Sequence, residues 1–161
     1  MLSVTTDLSE VINQVNRLLM RDLTTDRFVT AFVGILDPAR HRLTYVSAGQ
    51  GPLLVLCEQD CESRSATGLP LAVLEQATYE AQTLELAPGN LLAVLTDGFY
   101  ETTNPQDQQF GEPRVVELLR GQAHRPLPQL IDALHAAICN FAGPTPQADD
   151  LTAVLLRRTR Q

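Results

Sequence analysis

The chain has 161 residues, 44% of them hydrophobic, and a net charge of −7 from 12 Lys and Arg against 19 Asp and Glu. That length suits one domain able to bury a real core, and the composition argues against disorder. An acidic chain without a basic stripe excludes nucleic acid and anionic membrane as partners, because neutralising phosphate charge supplies most of the affinity for either.

Cysteine usage is equally plain. Cys57, Cys61 and Cys139 make an odd count with no zinc-type pair of pairs. Cys57 and Cys61 are close enough to share a metal or a disulfide, but no His or further Cys lies near them in sequence. Reduced thiols in a cytoplasmic, soluble protein are the expectation. No apolar run approaches the roughly 20 residues of a membrane span, and Met1-Leu2-Ser3 does not open a signal peptide.

The first predicted element is a helix. Leu8, Val11, Ile12, Val15, Leu18 and Leu19 recur at helical spacing, with Asp7 as N-cap and Glu10 three residues on. Asn16 falls beside that stripe, where it can reach a neighbouring element. Phe28 to Leu36 and Leu43 to Val46 read as strands joined by a turn at Asp37-Pro38. Ser47-Ala48-Gly49-Gln50-Gly51-Pro52 interrupts before a strand at Leu53 to Leu56 and a polar turn over Glu58 to Ser63. Gly68 to Val73 is a loop, Tyr79 to Leu86 alternates like a strand, and Ala87-Pro88-Gly89-Asn90 is a turn. Leu91 to Leu95 is a short continuous apolar run, as expected of a buried strand. Val115 to Leu119 and Leu130 to Phe141 read as helices, the second stopped near Gly143-Pro144; Leu151 to Leu156 is a last strand. Hairpin-connected strands with helices predict an α+β domain on antiparallel sheet, residues 1–161 forming one domain.

Two places carry candidate chemistry. Asp97 follows the buried-looking strand, with Gly98 permitting a tight turn, and Asp149-Asp150 precedes another strand. Carboxylates where strands leave a core can converge on one rim, and oxygen ligands suit hard divalent cations. Read singly, an Asp-Gly is a turn, an Asp-Asp is a solvated cap, and Glu101 is either an outer acid or an exposed residue. His41, His124 and His135 fall in a turn, a loop and a helix, and read as surface or structural residues.

The order of segments says more. Phe28-Val29-Thr30, Leu36-Asp37, Ser47-Ala48-Gly49-Gln50, Gly68-Leu69-Pro70-Leu71 and Ala87-Pro88-Gly89 are followed by Leu95-Thr96-Asp97-Gly98 with Glu101, by Phe110-Gly111, and by Asp149-Asp150-Leu151-Thr152. This series resembles the protein phosphatase 2C-like family, in its bacterial branch typified by stage II sporulation protein E and RsbU. The resemblance runs from about Leu8 to the last strand.

It implies an antiparallel β-sandwich flanked by helices and metal-dependent removal of phosphate from serine or threonine by two bridged Mn²⁺ or Mg²⁺ ions. It places Asp97, Asp149 and Asp150 as metal ligands, Gly98 as the point of close backbone approach, and no catalytic residue beyond the ligands. The implied substrate is a phosphorylated regulatory protein such as an anti-sigma-factor antagonist, with a receiver or sensor domain upstream.

The departures are specific. The family's upstream Gly-Asp and Asp-Val-x-Gly-His-Gly segments, which supply the ligand bridging both metals, have no counterpart before Leu8. The N-terminal strands of the sandwich are therefore expected to be lacking, leaving apolar surface that favours a homodimer. Gln50 stands where the family usually has His, Ala72 where it often has Gly, and Asn90 where it often has Asp. Gln50 cannot supply a proton as an acid. A second function class follows from these departures: a catalytically inactive phosphatase-like adaptor that holds a regulatory protein.

Overall fold

A computed structural model describes residues 7–24, 26–58 and 60–159. In chain order the elements are α1 (Leu8–Asp22), β1 (Ala31–Asp37), β2 (Arg42–Ala48), β3 (Leu53–Cys57), β4 (Asp60–Arg64), β5 (Gln82–Glu85), β6 (Leu91–Leu95), α2 (Gly98–Glu101), α3 (Gly111–Gln122), α4 (Leu127–Ala142) and β7 (Ala153–Arg157). They divide into two compact units, one with the described residues up to Gln50 and Ser65–Leu86, the other with Gly51–Arg64 and the described residues from Ala87 onward. Each unit holds one antiparallel sheet with helices, giving the α+β class read from the sequence.

The first unit has the strand order β1-β2-β5. The hairpin runs from Ala31↔Ala48 to Asp37↔Arg42 around the predicted turn. The helix α1 begins at its predicted cap, where the Asp7 carboxylate accepts from the backbone N–H of Ser9 at 3.0 Å and of Glu10 at 3.3 Å. Leu8 and Ile12 pack with Val46, Ala48, Leu71 and Tyr79, and Val15 and Leu19 lie partly buried against them. The apolar stripe is narrower than predicted. Val11 and Leu18 remain 40% and 56% exposed, because at 100° per residue they fall beyond one edge of the packed arc.

The opposite flank of α1 is polar and does structural work. Buried Asn16 donates to the Leu74 carbonyl at 3.0 Å and accepts from the Ala72 N–H at 2.9 Å. Asn13 accepts from the Tyr79 N–H at 2.9 Å, and the Ser9 hydroxyl accepts from the Ala81 N–H at 3.0 Å. These side chains supply backbone partners to the irregular segment 72–81, which follows the isolated bridge of Leu71 with Val29. The strand predicted over Tyr79 to Leu86 is accordingly shorter, with only Gln82–Glu85 paired to β2.

The second unit has the order β4-β3-β6-β7. Leu54, Leu56, Leu91, Ala93 and Leu95 from the sheet pack with Val115 and Leu119 of α3 and Leu130, Leu134 and Ile138 of α4. Each of these Leu, Ile and Val side chains contributes about 1.5–3 kcal/mol when fully removed from water. The predicted polar turn over Glu58 to Ser63 is a correction, since Asp60–Arg64 pairs with β3 as a polar edge strand. Alternating apolar residues are missing there because the face opposite core residues Leu54 and Leu56 carries only Ser63 and Cys61. Register also puts Cys57 opposite Asp60 and Cys61 opposite Leu56, so the two thiols lie on opposite faces and cannot share a ligand.

The third helix is longer than the predicted Val115 to Leu119 and starts at Gly111. Its first turn is held by Arg114, which donates to the Gln109 and Phe110 carbonyls at 2.9 and 2.7 Å and lies 4.9 Å from the Phe141 ring centroid. Among the described residues no helix is long and apolar enough to cross a membrane.

Candidate functional site

The antiparallel pairing of β6 with β7 is what brings the segments carrying the candidate acids to one edge. Leu95↔Ala153 is the last pair of that ladder, so the end of β6 and the start of β7 share one edge of the sheet. Beyond that pair the chain runs through Thr96 to Asp97 on one side and back through Thr152 and Leu151 to Asp150 and Asp149 on the other. Asp97, Asp149 and Asp150 are all exposed.

Two threonines extend the contact past the ladder. The Thr96 N–H donates to the Thr152 carbonyl at 3.0 Å, and the Thr152 N–H donates to the Thr96 hydroxyl oxygen at 3.0 Å. That hydroxyl in turn donates to the Asp150 carbonyl at 3.1 Å. Thr96 therefore ties the segment carrying Asp97 to the segment carrying Asp150. Sequence reasoning gave it no role, although a hydroxyl residue adjoining each acidic motif was a signal in plain view.

Gly98 corrects the expectation of a tight turn. It opens the one-turn helix α2 without a positive φ, so its backbone is one that any residue adopts. Its smallness serves a different end: a Cβ at this position would lie 2.7 Å from the Asp150 carbonyl oxygen and 3.2 Å from a Leu151 methyl. Absence of a side chain is what lets the two acidic segments approach. Phe99, buried in the core, pins α2 from below.

The carboxylates are pre-arranged locally. Asp97 accepts from the Gly98 N–H at 3.1 Å, and Asp149 accepts from the Asp150 N–H at 2.7 Å. The Gln147 amide donates to the Asp149 carbonyl at 2.7 Å. Glu101 is exposed on α2, its N–H bonded to the Asp97 carbonyl at 2.9 Å. Among the described residues no three His, Cys, Asp or Glu side chains stand close enough to hold one metal ion. Donors at this edge are carboxylate and carbonyl oxygens, the type that suits a hard divalent cation.

Two of the three positions where the sequence departs from the family's pattern, Gln50 and Ala72, belong to the first unit, and Asn90 to the second. Gln50 is half-buried, with its carbonyl accepting from the Ser47 hydroxyl. Ala72 adopts φ +65, a left-handed conformation for which glycine is the relaxed choice. Asn90 is buried and donates to the Cys57 sulfur at 3.2 Å.

Comparison with known proteins bears on the family and the fold. IcfG of Synechocystis sp. is 26% identical over 132 residues, 81% of this chain and 21% of its own length. The phosphoserine phosphatase RsbU of Bacillus subtilis is 22% identical over 152 residues, 93% of this chain and 45% of its own length. The chain thus spans less than half the length of either curated relative. Among solved structures, the SiaA PP2C domain of Pseudomonas aeruginosa superposes with a TM-score of 0.78 at 24% identity, covering 91% of this chain and 58% of that one, which shows a shared fold. The profile of Stage II sporulation protein E (SpoIIE) matches residues 1–159, and the chain therefore belongs to the SpoIIE family.

Proposed function

We propose that residues 1–161 serve as part of a metal-dependent protein serine/threonine phosphatase domain in cytoplasmic bacterial signalling. The phosphorylated substrate is a regulatory protein of the anti-sigma-factor-antagonist kind, and a receiver or sensor domain lies upstream in the parent protein. The observation that carries this reading is the approach of the segment bearing Asp97 to the segment bearing Asp149-Asp150 at one sheet edge, in the family's motif order.

Asp97 and Asp149 are the assigned metal ligands, with Asp150 as a ligand directly or through water and Gly98 keeping the backbone close. Mn²⁺ or Mg²⁺ fits this oxygen set, since such ions are commonly held by one or two carboxylates and several waters. When bound, the metal supplies charge stabilisation to the phosphoryl oxygens and hydroxide at neutral pH. The dinuclear centre of a complete domain needs further carboxylates, which the described residues do not bring to this edge.

The chain's own residues have simpler tasks. Thr96 fixes the separation of the two acidic segments, and Gly98 leaves the Asp150 carbonyl in contact with α2.

Calorimetric titration of the chain with Mn²⁺ tests the assignment. Binding that Asp97→Asn abolishes and Asp149→Asn weakens is the expected result. Binding indifferent to Asp97 would remove it from the ligand set and sink the reading.

A further inference from the structure

The turn that follows Asp97 is too short to hold itself. The helix α2 has only the residues Gly98–Glu101, and a first helical turn fixes about six backbone angles for one hydrogen bond, so it is unfavourable alone. Its opening bonds are good: the Tyr100 and Glu101 N–H groups donate to the Asp97 carbonyl at 2.7 and 2.9 Å. Its closing bond is stretched, with the Thr102 N–H donating to the Gly98 carbonyl at 3.3 Å.

The Thr102 side chain offsets that stretch. Its hydroxyl donates to the same Gly98 carbonyl at 2.6 Å, within the range of a full hydroxyl bond. Thr102 is itself held from the other side. Its carbonyl accepts from the Phe110 N–H at 2.8 Å, across the excursion closed by the Thr103–Gln109 bridge. Phe110 is buried in the core and meets the Phe141 ring edge-on, with centroids 5.2 Å apart. A line of contacts thus runs from α4 through Phe110 and Thr102 to Gly98. Gly98 is the residue whose backbone lies against the Asp150 carbonyl, and its N–H donates to the Asp97 carboxylate at 3.1 Å.

We propose that Thr102 is a positioning residue for the candidate metal edge: its hydroxyl orients the Gly98 peptide and so holds Asp97 against the Asp150 segment. The proposal rests on the reading of Asp97 as a metal ligand, and Thr102 acts through Gly98 rather than on metal or substrate. Serine would supply the same donor, whereas valine keeps the branched shape and has none.

Thr102→Val and Thr102→Ser in the whole chain provide the test, with amide exchange and Mn²⁺ calorimetry as readouts. In Thr102→Val the amides of Tyr100 and Glu101 should exchange about 2- to 10-fold faster, the range for one lost hydrogen bond. Mn²⁺ affinity should fall about 10-fold, the lower end for removing a group that supports a metal ligand. Thr102→Ser should restore both. Amides of α3 and α4 should exchange as in the parent, which separates this role from a general loss of stability. Exchange needs no metal, so a parent chain that binds no Mn²⁺ would sink the metal reading and leave exchange to judge the tie. Parent-like exchange at Tyr100 and Glu101 in Thr102→Val, failure of serine to restore it, or Mn²⁺ binding indifferent to Thr102→Val would each overturn the proposal.

Discussion

Gly98 makes the sharpest case for single-residue control of the candidate site. A Cβ there meets a backbone carbonyl oxygen at 2.7 Å, which has no flexible end to swing aside. Gly98→Ala should therefore push the Asp97 and Asp150 segments apart and cost about 1–3 kcal/mol, the usual penalty for overpacking. Chemical denaturation measures the cost, and an unchanged midpoint would mean that the two segments part freely. Tyr100 gives a second, pH-dependent test. Its phenol is pushed well above the ordinary range, first by burial, then by the Glu112 carboxylate and Cys61, while its hydroxyl donates to the Pro52 carbonyl at 3.4 Å. A group whose folded value is raised lends stability that is complete below its unfolded value, ~10 for tyrosine, and is lost as pH rises toward the folded value. Tyr100→Phe cannot ionise, so it should lose less stability than the parent between about pH 9 and 11. Parallel alkaline slopes in thermal melts would contradict that.

Among the elements, α1 shows how polar residues can organise a loop. Its apolar arc docks on the sheet of its unit, while Ser9, Asn13 and Asn16 bind backbone groups from Ala72 to Ala81. Asn16→Ala would leave the half-buried Ala72 N–H without this partner and remove a donor from the Leu74 carbonyl. An expected loss of about 1–3 kcal/mol follows, the cost of leaving a polar group without its partner. Faster amide exchange confined to segment 71–81 would accompany it. A uniform loss across the unit would instead make Asn16 a general packing residue. The presence of α1 was legible from Asp7 and the apolar period; the neighbour that Asn16 reaches was not, because its partner lies 56 residues away.

For the molecule as a whole, the unusual surface is the outer strand of the first unit. β1 ends the order β1-β2-β5, and its Val33, Ile35 and Leu36 are 38%, 44% and 45% exposed. An open apolar edge presents unpaired backbone groups to any similar strand. Concentration-dependent association is expected in sedimentation velocity, and Ile35→Lys should shift the distribution toward monomer. A parent chain that stays monomeric at high concentration would show that this edge is inert. The net charge of −7 opposes association only weakly at physiological salt, where screening acts within about 8 Å.

Element type followed from local rules: the period of Leu8 to Leu19, the cap at Asp7, the apolar run Leu91 to Leu95 and the turns at Asp37-Pro38 and Ala87 to Asn90 all reappear in place. Local rules also named Asp97, Asp149 and Asp150, because acids beside buried strands stand out against their neighbours. Strand pairing is non-local, however, and no window of sequence states that Leu95 faces Ala153. The polar edge strand Asp60–Arg64 went unread for the same reason, since one paired side with little burial leaves no hydrophobic alternation. The roles of Thr96, Gly98 and Thr102 are matters of distance between side chains and backbone. Such distances exist only once the core has set where each strand and helix lies.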